Sequence, residues 1–115
     1  MNFSTLTVAT VISGKMLARI DEIYKILDYM TGDAIFTHQI PRAMNTCRPE
    51  LQKQFPDLAA AIDPAAINKE TAVAVSAEIA GKFGPELEVA PLPAGEWQPK
   101  DPIGELLDMQ TKDPE

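Results

Sequence analysis

Residues 21–32 read Asp-Glu-Ile-Tyr-Lys-Ile-Leu-Asp-Tyr-Met-Thr-Gly. Ile23, Ile26, Leu27 and Met30 fall at i, i+3, i+4 and i+7, which lays one apolar stripe along a helix. Asp21 is expected to cap it, and Asp21 with Glu22 suits the positive end of its dipole. Gly32 is placed to stop it in the left-handed conformation.

Working upstream, Ser4 precedes Leu6, Val8, Val11 and Ile12 at helical spacing, and Gly14 stands where that helix would end. The many β-branched residues there keep a strand as a rival reading. Downstream, Ile40, Ala43, Met44, Cys47 and Leu51 share a helical face, with Pro41 in the first turn, where its missing N–H costs nothing. Pro49 interrupts this pattern and predicts a kink or a very short break. Phe55-Pro56-Asp57 is a turn into a short helix through Leu58, Ala61 and Ile62, ended by Asp63-Pro64. Asn68 is the expected cap of a further helix carrying Ala72, Val75, Ile79 and Phe83, closed by Gly84-Pro85. Glu86-Leu87-Glu88-Val89 alternates charged and apolar residues as a short edge strand does, and Pro91, Pro93 and Pro99 impose extended backbone. Asp101, Pro102, Ile103, Leu106 and Leu107 predict a last short helix, with disorder expected after Met109.

These elements predict a mainly α fold. It is a compact bundle of about four to five short helices with at most one short edge strand, extended by a Pro-rich acidic C-terminal arm. The expected division is a helical domain over residues 1–84 and the arm over residues 85–115.

The chain has 115 residues, 10 Lys and Arg against 17 Asp and Glu, one histidine and one cysteine. A domain of this length buries roughly two thirds of its unfolded surface, so it needs no metal or disulfide to hold together. The net charge of −7 and the scattered basic residues argue against direct nucleic-acid binding. A single cysteine forms no internal disulfide, and Met1-Asn2-Phe3-Ser4 lacks the basic start of a secretory signal, so a cytoplasmic setting is expected. No apolar run approaches the roughly 20 residues that cross a bilayer, and no membrane partner is expected. The negative charge is uneven: residues 1–84 hold nine acidic and eight basic side chains, whereas residues 85–115 hold eight acidic ones with Lys100 and Lys112 alone. The helical body is electrostatically ordinary, and the arm carries the excess.

Little points to catalysis. One imidazole, His38, excludes a two-histidine zinc site, and Cys47 lies nine residues further along the same helical stretch, out of reach as its nucleophile. Cys47 is expected in the core, as are Met16, Met30 and Met44. The pairs Asp21–Glu22 and Glu86–Glu88 lack desolvating neighbours that would split their acidities. The isolated glycines make no phosphate-cradling loop. No cofactor and no metal are expected, and the chain is not expected to be an enzyme. The stretch with most chemical character is Met30 to Ala43, which gathers Asp33, Thr37, His38, Gln39 and Arg42 around a glycine stop. It is either a helix–loop–helix corner, with Thr37 as cap and Ile35 and Phe36 as anchors, or a polar recognition patch at a helix start.

Met30-Thr31-Gly32-Asp33, Phe36-Thr37-His38-Gln39 and Pro41-Arg42-Ala43, with Cys47-Arg48-Pro49-Glu50-Leu51 and the region of Trp97 and Asp101-Pro102-Ile103, resemble a family of small uncharacterised proteins from tailed bacteriophages and prophages. The resemblance spans most of the chain. It implies a phage or prophage origin and a compact helical domain, and it brings no catalytic residues.

The function expected is therefore that of a non-enzymatic accessory protein in a bacterial cytoplasm, binding and inhibiting a host protein such as a CRISPR-type defence complex. Its acidic arm, with Glu86, Glu88, Glu96, Trp97, Asp101, Glu105 and Asp108, would present carboxylates where a partner expects phosphates. The alternative is a small binding module for a nucleotide or other anion, using His38, Gln39 and Arg42. A homodimer is compatible with either reading.

Overall fold

The apolar stripe of residues 23–30 becomes one wall of the core, and what packs on it follows from how apolar the first helix is. The computed structural model describes residues 1–98 together with Ile103, Gly104 and Leu107. In chain order it has β1 (Asn2–Ser4), α1 (Thr5–Ser13), α2 (Ile20–Thr31), α3 (Ile40–Gln54), α4 (Pro56–Ala61), α5 (Ala72–Phe83) and β2 (Glu86–Glu88), with single 3₁₀ turns at Thr37–Gln39 and Pro64–Ala66. The fold is mainly helical, with one two-stranded antiparallel sheet. None of its described helices is long and apolar enough to cross a membrane.

Helix α1 is apolar around most of its circumference, which suits a helix surrounded by others rather than one lying at a surface. It packs against α2, α3 and α5 and buries Thr5 and every residue from Thr7 to Ile12. Ser4 caps it, its hydroxyl accepting from the Leu6 N–H at 3.2 Å. Gly14 closes it at φ 75°, its N–H reaching the Thr10 carbonyl. The helical alternative thus prevails over the strand, and the β-branched threonines are accommodated by backbone partners. The Thr10 hydroxyl donates to Leu6 O at 2.8 Å and accepts from Leu17 N–H, while that of Thr5 donates to Gly84 O at 2.6 Å.

Thr7 differs, because its buried hydroxyl has no hydrogen-bond partner among the described residues. A buried hydroxyl left unpaired costs on the order of 1–3 kcal/mol. Thr7→Val keeps the branched shape and removes the orphan atom, so it is expected to stabilise the protein by about 1 kcal/mol. A higher urea midpoint at unchanged slope is the result to look for.

Helix α2 begins two residues earlier than a cap at Asp21 would have it. Its N-cap is Arg19, which makes no side-chain capping bond, and Asp21 sits in the first turn beside Arg19 (Nε to Oδ1 3.2 Å) instead of capping. Gly32 ends α2 at φ 72°, as expected. Helix α3 runs unbroken through Pro49. Both Pro49 and Asn45, whose carbonyl loses its usual donor, face solvent, so water can satisfy that carbonyl and no break is needed. Asn68 caps a turn rather than the helix: its Oδ1 accepts from the N–H groups of Glu70 and Thr71, and α5 starts at Ala72. Met16, expected in the core, is exposed.

Strand β2 forms where alternation predicts, and its partner is β1, with Asn2 opposite Glu88, Phe3 opposite Leu87 and Ser4 opposite Glu86. The first part of the arm is therefore built into the body. Val89 and Trp97 are buried, and the Leu92 N–H bonds the Met30 carbonyl at the end of α2. The helix expected from Asp101 lies largely outside the described residues, and the stretch after Met109 lies wholly outside them. Ile103 and Leu107 are exposed.

Cys47 is fully buried on the core face of α3, where its burial raises the thiol pKa from 9.0 to about 12. The thiol is ionised in the unfolded chain above pH 9 and neutral in the folded one up to about 12, so stability is lost as pH rises through that window. Cys47→Ala is expected to flatten this alkaline fall-off. At neutral pH the native protein should resist a thiol-reactive dye that labels it at once in urea.

Candidate functional site

The corner between α2 and α3 is built from backbone groups that side chains satisfy one by one. Thr31 Oγ1 accepts from Asp33 N–H, Asp33 Oδ1 from Ala34 N–H at 2.9 Å, and Asp28 Oδ1 from Ile35 N–H at 2.9 Å. Ile35 is buried as the loop's anchor, whereas Phe36, expected to share that role, is about half exposed. Gln39 is completely buried, its Oε1 accepting from Phe36 N–H while its own N–H bonds the Phe36 carbonyl. Gln39 thus closes the 3₁₀ turn and is withdrawn from the surface. Phe36, not Thr37, precedes that turn as its cap. The Thr37 hydroxyl instead pairs with the Tyr24 hydroxyl at 2.6 Å. His38 is half-buried, its ring edge-on to Phe36 at 6.1 Å between centroids.

Asp33 and Arg42 meet a residue from the other end of the chain. Asp33 Oδ2 accepts from the Trp97 indole N–H at 3.2 Å. The Arg42 guanidinium lies 3.9 Å above the Trp97 ring, and its Nη1 donates to the Gln98 carbonyl at 3.0 Å. Trp97 is 7% exposed, so the ring is held between a carboxylate at its polar edge and a cation on its face. Two groups of residues that sequence spacing treats separately, the polar corner and the acidic arm, are one structural unit.

Glu96, next to this ring, lines a cleft of about 240 Å³ with Glu50, Lys53 and Leu92. Glu86 and Glu88 are exposed on β2. Asp101, Glu105 and Asp108 lie outside the described residues. No group of three or more His, Cys, Asp or Glu gathers as a metal site among the described residues. Sequence spacing gives no sign of Tyr24 as the partner of Thr37, since 13 residues separate them, nor of Gln54, whose side chain brackets the backbone of Ala90.

A family model described as a domain of unknown function, DUF7736, matches residues 3–61. The chain belongs to this DUF7736 family. The DUF7736 match begins within β1 at Phe3, contains α1 to α4 and the whole corner from Asp33 to Arg42, and ends before α5, β2 and Trp97. No curated protein and no solved structure matches the chain.

Proposed function

We propose that this DUF7736 protein is a non-enzymatic, protein-binding accessory factor of a phage or prophage that inhibits a host protein, with a nucleic-acid-handling defence complex of the CRISPR type as the first partner class. The observation that carries this reading is the clasp of Trp97 between Asp33 and Arg42. It fixes a strap that has Glu86, Glu88 and Glu96 and no basic residue from 83 to 98. Carboxylates on a fixed backbone can occupy positions that a partner reserves for phosphates, at a lower entropic cost than the same charges on a loose tail. The stretch from Met30 to Ala43, on which the resemblance to phage proteins rests, supplies Asp33 and Arg42 to the same clasp. The anion-binding alternative is weaker on this geometry. Gln39 is buried, and the Arg42 guanidinium is already engaged with Trp97 and the Gln98 carbonyl.

The test is a plasmid-interference assay in bacteria with an active CRISPR system. Expression of the chain is expected to restore transformation by about tenfold or more, and combined Glu86→Lys, Glu88→Lys and Glu96→Lys is expected to abolish that gain while leaving the circular-dichroism spectrum unchanged. Unchanged interference with the parent protein overturns the defence assignment. A thermal shift equivalent to about 2.7 kcal/mol with a nucleotide at a hundredfold its dissociation constant would support the anion-binding alternative instead.

A further inference from the structure

Strand β2 has one edge paired with β1 and one edge that pairs with no other strand among the described residues. Met1 and Val89 exchange both backbone bonds, Met1 N to Val89 O at 3.3 Å and Val89 N to Met1 O at 2.9 Å. In an antiparallel ladder such pairs alternate, so Leu87 and Val89 point their backbone groups at β1, while Glu86, Glu88 and Ala90 point theirs away. At Ala90 the outward pair is already taken by a planar amide. Gln54 Oε1 accepts from Ala90 N–H at 3.0 Å, and Gln54 Nε2 donates to Ala90 O at 3.1 Å. The side chain pairs with this edge as a neighbouring strand would, which shows that the edge is approachable in the plane of the sheet. The outward N–H and C=O groups of Glu86 and Glu88, one step along the same edge, have no hydrogen-bond partner among the described residues.

The side chains around that edge specify what fits. Glu86 and Glu88 project from one face of β2 and are exposed, while Leu87 projects from the other and lines a cleft of about 190 Å³ with Phe55, Leu58 and Phe83. A strand added here would place alternate residues beside the two glutamates and the residue between them beside the cleft. A second copy pairing edge to edge through β2 would set glutamate against glutamate, and like charges opposite one another oppose the pairing.

We propose that the open edge of β2 receives an extended segment of a partner protein with the pattern basic–apolar–basic. Its Lys or Arg side chains lie beside Glu86 and Glu88, and its apolar side chain enters the cleft at Leu87. This rests on the protein-binding reading above and gives the partner's chemistry at one edge. The clasp at Asp33, Trp97 and Arg42 plays no part in it.

The probe is the synthetic peptide acetyl-Lys-Val-Lys-Leu-Lys-Val-Lys-amide, titrated into the full ¹⁵N-labelled chain. Binding is expected, with amide shifts centred on Glu86, Leu87, Glu88 and the Gln54 side chain. Two N-methylated versions of the peptide, one for each of its backbone edges, keep the charge. The version that blocks the pairing edge is expected to bind about tenfold or more weakly. Glu86→Lys with Glu88→Lys is expected to cost a similar factor, with an unfolding temperature matching that of the parent. The proposal is overturned if no binding is detected, if both N-methylated peptides bind like the parent peptide, or if the shifts map to the α2–α3 corner. The assay contains no host component, so a negative interference result leaves this edge standing, and a negative peptide result leaves the defence reading to its own assay.

Discussion

Trp97→Ala is expected to lower the unfolding free energy by about 3–5 kcal/mol, the range for truncating a buried large aromatic side chain. A domain of this size has a total stability of about 5–15 kcal/mol, so the loss removes roughly a fifth or more of it. At roughly 4 °C per kcal/mol, the unfolding midpoint should fall by about 10–20 °C. Three effects add here: the apolar ring leaves the core, Asp33 Oδ2 loses the indole donor, and the Arg42 guanidinium loses the face it stacks on. Trp97→Phe separates them. It keeps most of the buried area and an aromatic face, and gives up the indole N–H, so a loss nearer 1–2 kcal/mol is expected, roughly that of one hydrogen bond to a charged acceptor plus imperfect packing. Urea denaturation followed by circular dichroism measures both variants. If Trp97→Ala changes the midpoint no more than an ordinary surface substitution, within about 0.5 kcal/mol, the clasp does not hold the strap. Amide exchange gives a second readout, because the Leu92 N–H bonded to Met30 O should lose protection in Trp97→Ala before the core of α1 does.

The helices were legible in the sequence because their causes are local. The stripe of Ile23, Ile26, Leu27 and Met30 and the stops at Gly14, Gly32 and Gly84 act over one or two turns, and the structure reproduces them. Starts were less legible. Asp21 and Asn68 are both strong capping residues, yet Asp21 serves the first turn of α2 and Asn68 the turn before α5, because several polar residues near a helix start compete for the same few N–H groups. Legibility fails where a contact joins distant parts of the chain. Asp33 and Trp97 are 64 residues apart, and nothing in the spacing of either links a polar corner to a tryptophan in a Pro-rich segment. The sequence reads the arm as a unit separate from the helical body, and the signal against this is one residue: a large aromatic side chain among prolines, which has most to gain from burial. Gln39 reads as a recognition residue from its polar neighbours and turns out to be a buried closing group, since only three-dimensional context shows which loop amides need an acceptor.

Strand β1 is the element whose absence from the sequence pattern matters most, and Phe3→Ala tests what it contributes. Three residues are too few to show alternation, and two paired strands are marginal on their own in water. Their pairing must be held by something beyond the ladder. Phe3 supplies it: the ring is 4% exposed, belongs to the same buried cluster as Val89 and Trp97, and lies 5.5 Å from the Tyr29 ring, whose hydroxyl donates to the Val89 carbonyl at 2.9 Å. One side chain thereby ties β1, α2 and the start of the strap to a single contact. Phe3→Ala is expected to cost about 3–5 kcal/mol, whereas Phe3→Leu, which nearly fills the site, should cost less than half of that. The distribution of the loss is the more specific result. Amide protection should collapse first at Leu87 and Val89, whose bonds run to β1, and only later in α1 and α3. With β1 loosened, the open edge of β2 loses the backing that keeps Glu86 and Glu88 aligned, so the basic peptide should bind Phe3→Ala more weakly under conditions where the helices remain folded. Unchanged protection at Leu87 and Val89 in a folded Phe3→Ala variant would mean that the ladder is held by the Val89 side of the strap alone.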